Sequence, residues 1–293
     1  MASGCPLCGF ESYTPSWLRV TLYRGKQFPY VACGNCRSLY CRPMPDAEDL
    51  ASMYGAGYGS SSRSGAIEDP REPQWVLDWL DRLPAGAFVD YGCGAGELLA
   101  GAAARGWTTM GIELVPEVVE ATSRRTGLPV LTNEEALAKG AVADVLHLGD
   151  VLEHLTDIER ELPRILSLLK RGGLLLAQGP LEANGNLFTW TLRMGRALKR
   201  RAPVEMPPYH VLLATAEGQW ALLRRFGLTA IETKVTEVSW PAPSRLSPGD
   251  LARPRQAALF TLRLVSRAVS RLRSDRWGNR YRYAGHLDRA FKS

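Results

Sequence analysis

The sequence predicts an α/β fold: a doubly wound, mostly parallel sheet wrapped by helices, with a small cysteine-bearing module ahead of it. Three observations carry that expectation. Apolar runs of strand length alternate with segments of helical spacing between residues 88 and 148, the pattern of a parallel sheet covered on both faces. The first run opens into Val89-Asp90-Tyr91-Gly92-Cys93-Gly94-Ala95-Gly96, whose glycines let a ligand approach the main chain. Two C-x-x-C pairs, Cys5-Pro6-Leu7-Cys8 and Cys33-Gly34-Asn35-Cys36, precede all of it.

Between the cysteine pairs, residues 18–23 and 27–32 read as strands joined by Arg24-Gly25-Lys26. A hairpin with a thiolate pair at each end is the layout of a zinc ribbon, and four thiolates leave no open position on the metal. Its role is therefore expected to be structural. Residues 1–5 lack the basic start and apolar core of an export signal, so reduced thiols are expected rather than disulfides. Cys41, outside both pairs, reads as an ordinary buried thiol.

Residues 46–54 have helical spacing, 55–65 form a Gly/Ser-rich loop, and 73–83 read as a helix with Trp75, Val76, Trp79 and Leu80 on one face. Next come strand 88–90, helix 97–105, strand 107–113, helix 116–125, strand 128–132, helix 134–139 and strand 143–148. Pro116 suits a first helical turn, and Gly127 and Gly106 suit helix stops. Thr215 caps a helix that Gly227 ends, and residues 228–238 are strand-like. The expected organisation is a ribbon at 1–45, a linker or lid at 46–75, a main domain at 76–246 and a basic helical extension at 247–293.

Glu113 closes the second strand, placed to accept hydrogen bonds from both hydroxyls of a ribose. The glycine loop contains no lysine, and Glu97 stands where a dinucleotide loop would have glycine. A nucleoside bearing a carboxylate and no phosphate suits such a loop. Asp150-Val151-Leu152-Glu153-His154-Leu155 and Leu169-Lys170-Arg171-Gly172-Gly173 follow in order. Taken together, this ordered set resembles the class I S-adenosylmethionine-dependent methyltransferases. Within them it is similar to a small-molecule group carrying a Val-Leu-Glu-His-Leu signature, and Arg42-Pro43-Met44-Pro45 and Tyr54-x-x-x-Tyr58 resemble that group's link between ribbon and catalytic domain. The resemblance covers residues 88–226 and implies a Rossmann-like methyltransferase fold with S-adenosylmethionine as cofactor. Carried over residue by residue, it implies cofactor contacts from Asp90, Gly92, Cys93, Gly94, Gly96, Glu113, Leu114, Asn133 and Asp150. Asn133 is equally readable as the N-cap of the following helix, and Cys93 reads as small buried filler rather than a nucleophile.

His154, just past the fourth strand, is the candidate general base, or else a packed helix-start residue; Glu153 beside it is placed to orient it, to bind substrate or to start the following helix favourably. Pro207-Pro208-Tyr209-His210 resembles the family's Pro-x-His segment facing the acceptor, which adds Tyr209 and His210. His147 and His286 read as structural or solvated.

Hydrophobic content of 45% and charged content of 23% are those of a soluble globular chain, without an apolar run of membrane-spanning length. A cytoplasmic location is expected. The net charge of +6 permits contact with nucleic acid, anionic lipid or phosphorylated molecules without requiring any. Arg263, Arg267 and Arg271 recur every four residues. They read as the solvated stripe of a docked helix, or as contact through 256–282 with an anionic membrane or a phosphorylated acceptor. A second basic stretch spans 186–201. The expected reaction is methyl transfer to an oxygen or carbon of a small or lipid-linked molecule: a sugar, a quinone-like ring or a secondary metabolite. An RNA methyltransferase and a cofactor-binding protein without turnover are the alternatives. Against nucleic acid, the ribbon has no dense Lys/Arg patch with interleaved aromatics.

Overall fold

The computed structural model describes residues 4–55, 71–187, 189–191, 194, 202–238, 253–272 and 277–288. Most of the expected lid loop, the arginine and lysine cluster at 193–201 and the end of the chain lie outside them, as does Tyr58.

Seven strands form the central sheet: β6 (Ala87–Tyr91), β7 (Thr108–Ile112), β8 (Val130–Leu131), β9 (Ala143–Gly149), β10 (Leu169–Pro180), β13 (Leu228–Thr236) and β14 (Arg280–Leu287). Their order is β13-β14-β10-β9-β6-β7-β8. All pairings from β10 to β8 are parallel, and β14 is antiparallel to both of its neighbours. Strand order reverses between β6 and β9, and in open α/β sheets ligands sit outside the carboxyl ends at that reversal.

The strands alternate as a sheet buried on two faces must. Val89, Leu146, Leu175 and Ala177 join one apolar cluster, while Phe88, Val145, Leu174 and Leu176 join the other. Helix α2 (Arg71–Leu80) covers the second face with Trp75, Val76 and Leu80, packed beside α3 (Glu97–Ala103). Helix α4 (Pro116–Thr126) begins on Pro116 and stops on Gly127 in a left-handed conformation, as the sequence predicts. Helix α5 (Asn133–Ala138) starts differently. Its cap is Thr132, whose hydroxyl accepts from the Glu135 amide while the Glu135 carboxylate accepts from the Thr132 amide. Asn133 is therefore no cap, and its side chain instead accepts from the Tyr91 hydroxyl at 3.0 Å. After α6 (Ile158–Leu166), helix α7 (Ala216–Arg225) is capped by Thr215 as expected.

The ribbon is more divided than its sequence implies. Pro29 lacks an amide hydrogen and splits the expected second strand. Strand β2 (Thr21–Tyr23) pairs with β3 (Lys26–Phe28) across a turn at Arg24 and Gly25, both at positive φ, the geometry of a two-residue hairpin. Strand β4 (Tyr30–Cys33) pairs instead with β1 (Tyr13–Pro15) and β5 (Leu39–Cys41). Two strands from far downstream complete these sheets: β11 (Val204–Glu205) on β2, and β12 (Leu212–Leu213) on β5. Helix α1 (Ala47–Met53) follows the ribbon.

Two expectations for the C-terminal segment need correction. It is not only helical, because β14 enters the central sheet between β13 and β10. Nor is the arginine stripe of α8 (Pro254–Leu272) solvated along its length. Arg263 is 1% exposed and pairs with Glu237 at 2.7 Å, while Ser270 donates to the other Glu237 oxygen. Arg263→Met should therefore cost about 3–5 kcal/mol of stability by stranding a buried carboxylate. Denaturant unfolding checks this, and a loss below about 1 kcal/mol, typical of a surface pair, would return Arg263 to the solvated class. No helix among the described residues is long and apolar enough to cross a membrane.

Candidate functional site

After β6 the chain turns sharply through the glycine loop. Gly92 has φ 79° and Gly96 φ 77°, a left-handed region that favours glycine. A Cβ on Gly96 would also lie 2.9 Å from Thr122 of α4. Glu113 sits at the end of β7 and reaches across the loop. Its carboxylate accepts from the Gly94 amide at 3.0 Å and from the Leu114 amide at 2.8 Å. Burial raises the Glu113 pKa, and the amide hydrogen bonds oppose that rise. Leu114 is exposed, and Cys93 is buried with its thiol pKa raised by burial, consistent with filler.

Asp90 and Asp150 stand at the ends of adjacent strands with different partners. Asp90 is buried, with one carboxylate oxygen 2.7 Å from Nδ1 of His147 on β9, which gives His147 a structural setting. Asp150 has φ 54° and takes a two-point ion pair from Arg280 of β14, at 2.6 and 2.9 Å. His286, also on β14, has Nδ1 3.0 Å from the Gly173 carbonyl.

Just beyond Asp150, a short 3-10 turn at Leu152–His154 carries Glu153 and His154. His154 Nδ1 lies 2.8 Å from the Tyr209 carbonyl and 3.2 Å from the Tyr54 hydroxyl. A carbonyl only accepts, so Nδ1 carries the proton and Nε2 keeps the lone pair. His210 stands edge-on to His154, with ring centroids 4.8 Å apart, and donates from Nδ1 to Glu182 at 2.9 Å. Burial, then the charge of His210, pushes the His154 pKa down to about 4. Burial also acts to lower His210, but the hydrogen bond and charge of Glu182, with Glu153 and Asp150, raise it to about 9. Glu153 is 5% exposed, and burial followed by the charge of Asp150 raises it to about 8.

Ribbon residues hold the segment that bears His210. Tyr30 donates to the His210 carbonyl at 2.6 Å, the Cys41 amide to Val211, and Thr215 Oγ1 to the Cys36 carbonyl. From the other side, the Val211 amide donates to the Glu153 carbonyl. The four ribbon thiols converge, with all Sγ atoms within 4.8 Å of one another. Cys5 and Cys36 are 3.8 Å apart, Cys8 and Cys33 3.5 Å. A tetrahedron of sulfurs at the zinc–thiolate bond length has edges of about 3.8 Å, whereas a disulfide requires about 2 Å. Cys41 is buried and outside the cluster.

Residues 69–233, more than half of the chain, match a protein-family model described as a methyltransferase domain. The chain belongs to this methyltransferase family. No curated protein sequence matches it. Among solved structures, this methyltransferase is similar to magnesium protoporphyrin IX methyltransferase from Synechocystis with bound S-adenosylhomocysteine. Identity is 15%, coverage 83% of this chain and 100% of that one, and TM-score 0.51. It is also similar to phosphoethanolamine N-methyltransferase 2 from Haemonchus contortus with S-adenosylmethionine, at 14% identity, TM-score 0.50, and coverage of 86% and 62%. At such identities the likeness concerns the fold. Family and fold together make the chain a class I S-adenosylmethionine-dependent methyltransferase.

The candidate site of this methyltransferase gathers more residues than its sequence motifs indicate. His154, Glu153, Tyr209 and His210 do come together; Glu182 and Arg280 join them from segments without a motif, and Tyr54 from the link motif.

Proposed function

We propose that this methyltransferase moves the methyl group of S-adenosylmethionine to an oxygen or carbon of a small or lipid-linked biosynthetic molecule. When bound, the cofactor supplies an electrophilic methyl on a sulfonium. In this reading the main chain of Gly92, Cys93, Gly94 and Gly96 receives its amino-acid end, with Asp90 and Asp150 flanking. Glu113 then exchanges its amide partners for the ribose hydroxyls, Leu114 packs beside the nucleoside, and Asn133 faces the base. In-line displacement needs proximity and orientation above all.

A hydroxyl or carbon acid must also lose a proton. The observation that carries the reading is the His154–His210 pair at the carboxyl rim of the sheet. His154 is uncharged near neutrality, its tautomer set by the Tyr209 carbonyl, so Nε2 can receive that proton. His210, paired with Glu182, places positive charge where the acceptor's negative charge develops. Glu153 favours the charged form of His210 rather than orienting His154, whose Nδ1 is held by Tyr209 and Tyr54, and Tyr209 and Tyr54 wall the acceptor. The proposed domain division keeps the ribbon at 1–45, with zinc on Cys5, Cys8, Cys33 and Cys36 holding structure.

Incubation with methyl-labelled cofactor and fractionated cell extract identifies the acceptor fraction. His154→Ala should then lower labelling about 10²- to 10⁴-fold with unchanged S-adenosylhomocysteine affinity. Unchanged labelling would remove His154 from the mechanism.

A further inference from the structure

Glu153, His154 and His210 bring a carboxylate oxygen and a nitrogen from each ring within 4.8 Å of one another. Both imidazoles are held at Nδ1, His154 by a main-chain carbonyl and His210 by the Glu182 carboxylate. Metal-ligating histidines are oriented in this way, with the far ring N–H on a carbonyl or carboxylate and the lone pair of Nε2 left for the ion. Glu153 is buried, and its Oε1 has no hydrogen-bond partner. A buried carboxylate oxygen with nothing to accept from is costly, and a cation removes that cost.

We propose that Glu153, His154 and His210 together hold one divalent transition-metal cation at the acceptor end of the site. The inference rests on the functional reading above for where the acceptor lies. Two imidazoles and one carboxylate suit manganese, iron, cobalt, nickel or zinc better than magnesium or calcium, which favour oxygen-only shells. Three protein ligands leave positions open, and an oxygen-bearing acceptor would take them. The cation would act as a Lewis acid that makes an acceptor hydroxyl more acidic. The O–H bond then breaks, its proton leaves to water, and its electron pair stays on the oxygen that receives the methyl. In that case both histidines serve as ligands: His210 gives up its Nε2 proton to the medium as the ion binds, the cation takes over the positive charge, and direct proton transfer to His154 is unnecessary. This site is separate from the four-thiolate ribbon.

The test uses the full chain with its ribbon thiolates intact, with Mn²⁺ and Zn²⁺ as separate probes under equilibrium dialysis and Mn²⁺ also followed by electron paramagnetic resonance. The expected result is one ion per chain beyond any held by the ribbon. Glu153→Gln and His210→Ala should each weaken that ion's binding tenfold or more. Glu182→Gln, which only orients His210, should weaken it about 10- to 100-fold. Circular dichroism and S-adenosylhomocysteine binding confirm that each variant folds, and Glu182→Gln alone suffices if His210→Ala does not. No uptake of either ion beyond the ribbon's, or uptake that all variants retain, overturns the proposal. Full methyl transfer after a chelator has removed the second ion also overturns it, and leaves His154 as the base. If His154→Ala leaves labelling unchanged, the underlying functional reading falls first.

Discussion

Replacing Glu113 with alanine is expected to weaken S-adenosylhomocysteine binding about 100-fold or more in calorimetry. Two hydrogen bonds from ribose hydroxyls to a charged acceptor are together worth about 3 kcal/mol or more, which is that factor. The same substitution removes the partner of the Gly94 amide in the unliganded protein, so the loop is no longer held before the cofactor arrives. Glu113→Gln keeps one oxygen for that amide and should fall between the wild type and alanine. Acidity adds a second readout. Burial holds the Glu113 pKa above its ordinary value, and binding requires the carboxylate. Affinity should therefore fall, as pH is lowered, at a higher pH than an ordinary glutamate would dictate. An alanine variant that binds within about twofold of wild type would dismiss the assignment, since such a change is under about 0.5 kcal/mol.

Stripping metal from the ribbon should abolish methyl transfer, although the thiolates lie apart from the proposed cofactor contacts. Purified protein should carry one zinc on Cys5, Cys8, Cys33 and Cys36, and Cys33→Ser should lose it. Structural zinc contributes about 10–16 kcal/mol in isolated fingers, comparable with the whole stability of an ordinary domain. A ribbon without metal is thus expected to unfold. Strand β12 would then lose its pairing with β5, and the His210 carbonyl its bond from Tyr30. Hydrogen exchange at Leu212 and Leu213 should accelerate on chelation, whereas the amides of β6 and β7 should stay protected. Activity that survives complete loss of zinc, or protein that never contains it, would refute this coupling.

The glycine loop, Glu113, Thr215 and the strand–helix alternation were legible because each depends on neighbours in sequence. A left-handed turn needs glycine locally, and a strand buried on both faces needs a continuous apolar run. The cap reading of Asn133 fails for the same reason. Thr132 and Asn133 are both good caps, and the Glu135 side chain three positions after Thr132 decided between them. Arg263 was misread because a periodic stripe shows which face it occupies, not what covers that face. Its partner Glu237 lies 26 positions away.

The chain alone set the nucleotide-type fold, the acid at the end of the second strand, the thiolate quartet and the Glu153-His154 turn, since short-range backbone chemistry and spacing suffice for these. Tertiary structure decided what surrounds them. Glu182 lies 28 positions before His210, Tyr54 lies 100 before His154, and Arg280 lies 130 after Asp150. None of these pairs has a fixed spacing. They meet because β14 threads between β10 and β13, and because β12 pairs with β5, a ribbon strand some 170 residues earlier. Charges acquire buried partners through such long-range closure of sheets, and no local pattern encodes it.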